Sequence, residues 1–113
     1  MAAVYVSNLV INAGATFSQQ FDLAQSDDSS PLNLTGYTIA AQIRKHAGSS
    51  NPTAFTATAM DAVNGLVLIS LTPTQTASLK SGRYVYDIVI TDAAGDKTRV
   101  VEGSVLVREG VTR

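Results

Sequence analysis

The sequence predicts an all-β fold in which two antiparallel sheets pack face to face. Three observations lead to it. Apolar and polar residues alternate with period two over most of the chain. Clusters of Gly, Pro, Asn, Asp and Ser break that alternation at intervals suited to short strands. Only one short stretch, opening with Thr72-Pro73, carries helix-start signals. About seven strands fit this pattern, and 113 residues suit one domain over 1–113 around a single core.

The elements follow in order. Residues 4–11 are rich in β-branched side chains, with Leu9 and Ile11 on one face, and form the first strand. Asn12-Ala13-Gly14 ends it. In residues 16–23, Phe17, Phe21 and Leu23 face one way while Ser18, Gln20 and Asp22 face the other, giving the second. Gln25-Ser26-Asp27-Asp28-Ser29-Ser30-Pro31 is a loop of turn formers. Tyr37, Ile39, Ala41 and Ile43 alternate with Thr38, Ala40, Gln42 and Arg44 in the third strand, which runs out into a Gly-Ser loop at 47–52. Residues 53–61 carry small side chains and form a fourth strand at an edge or under a shallow cover, with a helix as the alternative. Asn64-Gly65 is a hairpin signal, and the apolar run at 66–71 is a buried fifth strand. One helical turn follows Thr72-Pro73, with Leu79 tucked beneath the sandwich.

Leu79-Lys80-Ser81-Gly82-Arg83-Tyr84 feeds directly into the sixth strand. Gly82 turns without a Cβ penalty, and Tyr84, Tyr86, Ile88 and Ile90 then share one face. A glycine, one spacer and a tyrosine at the mouth of a strand is the local shape of a tyrosine corner, in which the phenol bonds back to the preceding backbone. Gly82 and Tyr84 therefore make the sandwich immunoglobulin-like, with its single helical turn just before the corner. Asp92-Ala93-Ala94-Gly95-Asp96 turns the chain into a last strand at 97–108. There Val101, Val105 and Val107 oppose Val100 and Leu106, so a bulge is expected across Glu102-Gly103.

Composition narrows the functional classes. Net charge is −1 and the eight Lys and Arg are scattered, so no basic face offers itself to phosphates. Cysteine is absent, which excludes disulfides and thiolate metal sites. No cofactor is implied. The one histidine, His46, lies at a strand end without a local nucleophile signature, so a solvated loop-edge residue is the better reading than a catalytic base. Asp27, Asp28, Asp92 and Asp96 sit in loops without the spacing of a calcium-binding hand, and whether they hold a cation stays open. Gly48, Gly65, Gly82 and Gly95 are turn glycines, not a phosphate loop. Tyr5, Tyr37, Tyr84 and Tyr86 fit core packing better than a sugar-stacking platform, there being no Trp. The sequence shows neither a secretory leader nor an apolar run of membrane length, and the expectation is synthesis in a cytoplasm with no membrane or nucleic-acid partner.

An order of features runs from about Gly14 to Val107. It comprises Phe21-Asp22-Leu23, Leu34-Thr35-Gly36-Tyr37, Ile43-Arg44, Gly65 before 66–71, Leu79-x-x-Gly82-x-Tyr84-x-Tyr86-Asp87, and Val101-x-Gly103-x-Val105. In that order the chain resembles the immunoglobulin-like structural domains of tailed bacteriophages, among them the N-terminal domain type of baseplate upper proteins. The resemblance implies a non-enzymatic virion component, acting in the baseplate, on the tail or on the capsid surface as an adaptor or decoration module. Other phage structural proteins are the implied partners, with self-association a further option. The expected contacts are the unpaired amides of the first and last strands, and the side chains of Tyr5, Val85 and Val89. The alternative is attachment to a host-surface carbohydrate through loops 25–33, 47–52 and 92–96.

Overall fold

A computed structural model describes residues 5–24, 32–46, 48 and 53–110, and of Tyr5 the main chain alone. Among the described residues nine strand segments and one helix follow in chain order: β1 (Tyr5–Val6), β2 (Leu9–Asn12), β3 (Phe17–Asp22), β4 (Thr38–Arg44), β5 (Thr53–Ala54), β6 (Thr56–Asp61), β7 (Leu66–Leu71), α1 (Pro73–Ala77), β8 (Gly82–Thr91) and β9 (Lys97–Arg108). One sheet runs β1-β9-β8-β4-β5, with β2 also on β9, and the other runs β3-β7-β6. The two make an immunoglobulin-like sandwich whose core gathers Ile11, Phe21, Ile43, Ile69, Ile88 and Val105 from both inner faces. Seven expected strands appear as nine segments because the first and fourth are each interrupted.

The first interruption follows from how the chain begins its sheet. β1 and β2 run parallel to β9, in one register from Tyr5↔Val101 through Leu9↔Val105 to Asn12↔Arg108. All the other pairings are antiparallel. β9 is therefore an interior strand. The expectation that its amides lie at an open edge is corrected, because the first strand covers them.

Between β1 and β2 the Ser7 carbonyl leaves the ladder and turns inward, where it accepts the Tyr86 hydroxyl at 2.6 Å. The Ser104 N–H facing it bonds instead to Asn8 Oδ1 at 3.1 Å, and Ser104 Oγ donates to the same atom at 3.0 Å. Gly103 makes the inward turn sterically feasible. A Cβ there would stand 2.0 Å from the Ser7 oxygen.

The second interruption is a change of sheet. Thr53 and Ala54 pair with Ile43 and Gln42 of β4, Phe55 N–H donates to the Ala41 carbonyl at 2.9 Å, and from Thr56 onward the strand pairs with β7. Phe55 is buried at this crossing, its ring 5.9 Å from Phe17 and 6.2 Å edge-on from Tyr86. The small-residue strand is thus extended, not helical, and β6 forms an edge of the three-stranded sheet.

The bulge in β9 also lies elsewhere than expected. Pairing with β8 steps from Ile88↔Val101 to Val89↔Arg99, which leaves Val100 as the extra residue, while Gly103 pairs regularly with Tyr86. Val100 and Val101 are both fully buried. Two successive inward side chains are what a bulge allows and a regular strand does not.

α1 starts with a capping box: Thr72 Oγ1 accepts from Gln75 N–H at 3.2 Å and Gln75 Oε1 accepts from Thr72 N–H at 2.9 Å. Leu79 is buried beneath the sandwich. The helix is fastened by Thr76, a fully buried polar side chain. Its hydroxyl accepts from Gly14 N–H at 3.0 Å and donates toward the carbonyls of Ala15 at 2.9 Å and Pro73 at 3.1 Å.

Two substitutions test these fastenings by urea unfolding. Gly103→Ala should cost about 1–3 kcal/mol through overpacking against Ser7. Thr76→Val, which keeps the volume and orphans the Gly14 N–H, should cost about 1–3 kcal/mol. A wild-type midpoint for either variant contradicts the fastening assigned to it.

Candidate functional site

Two tyrosines on the inner face of β8 anchor the elements that carry the surface. Tyr84 donates its hydroxyl to the Lys80 carbonyl at 2.8 Å, tying the strand's mouth to the turn after α1. The Lys45 ammonium sits 4.8 Å above the Tyr84 ring, a cation–π contact between β4's end and the corner. Gly82 begins β8 at φ +138°, where a Cβ would meet Lys45 Nζ at 3.0 Å, so glycine supplies both the backbone conformation and the space. Tyr86, two residues on, holds the first strand through Ser7. Burial pushes the Tyr86 phenol above the ordinary 10.0.

The outward residues in the middle of β8 are Val85, Asp87 and Val89. Val85 stands between Arg44 and Ser104, Asp87 between Gln42 and Glu102, and Val89 between Ala40 and Arg99. Val85 is 39% exposed and Val89 half-buried. The Arg99 guanidinium bridges two carboxylates, at 3.2 Å to Asp87 and 3.6 Å to Glu102. Exposed as they are, these ion pairs order the face more than they stabilise it. A groove of about 610 Å³ crosses here, bordered by Val6, Arg44, His46, Val85, Asp87 and Arg99.

The structure thus brings Val85 and Val89 onto one face and leaves the Tyr5 side chain outside the described residues. It also places His46 beside the groove that holds Asp87 and Glu102, a proximity the sequence reading missed. The pairing of β4 with β8 creates it, and no local motif signals a register. Asp87 and Glu102 are both engaged by Arg99, and no Ser, Thr or Cys borders the groove among the described residues. A second cleft, of about 1020 Å³, opens between α1, Ala13-Gly14 and Glu109-Gly110.

Of the loop carboxylates, Asp92 organises its own turn: Oδ1 accepts from the N–H groups of Ala94 and Asp96, each at 2.9 Å. Asp27 and Asp28 lie outside the described residues, as do most of loops 25–33 and 47–52. Among the described residues no group of three or more His, Cys, Asp or Glu is placed to hold a metal ion, and no helix is long and apolar enough to cross a membrane.

Fold and surface together define an immunoglobulin-like β-sandwich with an ordered, mixed apolar and ionic outer face. Among solved structures the chain is similar to the N-terminal domain of phage TP901-1 ORF48, with a TM-score of 0.56 and 14% identity over 90% of this chain and 85% of that one. It is also similar to the SrpA adhesin R347E mutant from Streptococcus sanguinis, with a TM-score of 0.51 and 15% identity over 96% of this chain and 57% of that one. At these identities the likeness is one of fold. No family model matches the chain, and no curated protein matches it.

The two tyrosine hydroxyls should differ in weight. Tyr84→Phe removes a bond near solvent and should cost about 0.5–1.5 kcal/mol, whereas Tyr86→Phe orphans the inward Ser7 carbonyl and should cost about 1–3 kcal/mol. Equal costs contradict this order.

The pH dependence has a fixed sign. Burial favours the neutral phenol in the folded state, so Tyr86's contribution is complete below its unfolded value of 10.0 and is lost as pH rises through the higher folded value. Stability measured across that alkaline range should fall more steeply for wild type than for Tyr86→Phe. Parallel curves contradict the assignment.

Proposed function

We propose that the chain is a non-enzymatic structural module of a bacteriophage virion, one domain over residues 1–113 that packs against larger head, tail or baseplate proteins. The observation that carries this reading is the likeness to the phage TP901-1 domain, which spans nearly all of both chains and so concerns the whole sandwich. The outer face suits the role. Val85 and Val89 supply apolar contact, while Arg99, Asp87 and Glu102 form a pre-ordered ionic strip that fixes orientation more than affinity.

The test is particle composition. Mass spectrometry of gradient-purified particles should find the chain at a stoichiometry matching a symmetric assembly, and Val85→Asp with Val89→Asp should strip it from them. Particles that lack the wild-type chain contradict the reading.

The likeness to SrpA, named an adhesin, favours a second reading in which the module attaches to host-surface carbohydrate through its end loops. Selective glycan-array binding, lost on altering loop 92–96, supports that reading over the first.

A further inference from the structure

We propose that the free edge formed by β1 and β2 docks against the same edge of a second copy of this chain, the two strands running antiparallel about a two-fold axis. The main chain defines the kind of occupant. Ser7 and Ala13 donate their N–H groups to the carbonyls of Glu102 and Arg108, each at 2.9 Å. In a parallel ladder the residues bonded to the neighbour alternate, so the odd-numbered positions face β9. Val6 and Val10 therefore aim N–H and C=O away from it, Asn12 aims its N–H away while its carbonyl accepts from Ala15 N–H, and no strand among the described residues lies beyond them. Such a row is satisfied by an extended strand.

The side chains make this edge unlike the others. Val6 is 76% exposed and Val10 52%, and Leu106, beside Val10 in the ladder, is 38% exposed. Residues 5–12 contain no charge and no proline. Three other edges carry features that discourage pairing: β3 ends in Asp22, β6 slips register between Ala59 and Asp61, and β5 is two residues long. The first strand is interrupted at Ser7-Asn8, yet neither of its two segments carries a charge or a proline.

The uncharged edge strand fits a second copy of itself, and the flanking charges on β9 bias its direction at low ionic strength. Glu102 lies beside Val6 at one end of the strip and Arg108 beside Asn12 at the other. Antiparallel pairing about a two-fold axis brings the Glu102 end of each copy to the Arg108 end of its mate, whereas parallel pairing sets like ends together. The uncharged strand meets its own image without a charge clash. Because the same patch is used on both copies, the contact closes at two and builds no filament. This goes beyond the virion reading and does not rest on it, since a dimer in solution is present or absent whatever particle carries the chain.

Sedimentation velocity and light scattering, from dilute solution to the solubility limit, test the inference on wild type, Val10→Pro and Val10→Lys. The Val10 N–H points away from β9, so proline there removes no bond within the fold, and lysine places a charge on an exposed site. Circular dichroism confirms that both variants are folded. Wild type should reach twice 11.8 kDa with rising concentration while both variants stay at 11.8 kDa. A wild type monomeric throughout, or a dimer that persists in either variant, overturns the proposal.

Discussion

The close approach of Ser7 to Gly103 is the constraint on which the arrangement of the larger sheet depends. A side chain at 103 would occupy the space of the Ser7 carbonyl oxygen. With glycine there, that carbonyl turns inward to the Tyr86 hydroxyl, and Asn8 supplies the acceptor that the ladder loses at Ser104. The two exchanges give the Ser7 carbonyl and the Ser104 N–H new partners, and among the described residues no buried side-chain polar atom lacks one. They also hold the first strand against the last in a single register across its interruption. β9 becomes an interior strand as a consequence, and the edge of the sheet passes to β1 and β2.

The same clasp links core to surface. Tyr86 packs edge-on against Phe55, the residue at which the chain leaves one sheet for the other, and Phe55 in turn packs against Phe17 of the facing sheet. A row of three rings thus runs from the seated first strand to the opposite layer. Thr76 performs the corresponding task at the end of the sandwich, where one hydroxyl ties α1 to the turn after β2. Both polar fastenings act on the chain's first segment from opposite ends. That segment borders the ionic strip centred on Arg99.

Much of this was legible in the residues. The apolar run at 66–71 and the alternation from Tyr37 to Arg44 coincide with β7 and with β4, although β7 buries Val67, Ile69 and Leu71 fully and leaves Leu66 and Leu68 half-buried. Thr72-Pro73 marks α1 through local capping chemistry. What escaped the sequence was long-range. The parallel seating of residues 5–12 on β9 depends on which edge the chain start meets, and no short-range pattern encodes that. Val100 and Val101 break the alternation visibly, whereas Gly103, the residue that suggests a bulge, is there for the approach of Ser7. Thr76 reads as one more polar residue in a short helix until Gly14 and Ala15 are brought to it. On the outer face, Val85 and Val89 follow from alternation along β8, whereas the company of His46 with Asp87 and Glu102 requires the register between β4 and β8.

Amide hydrogen exchange, residue by residue, measures the seating of the first strand most directly. If the Ser7–Gly103–Tyr86 clasp holds as described, the N–H groups of Ser7, Leu9 and Ile11 exchange as slowly as those of Ile88 and Ile90 in the centre of the sheet, because only global unfolding releases them. Exchange at those three positions as fast as in the loop at 92–96, with β8 still protected, would show the first strand to be detached and contradict the account.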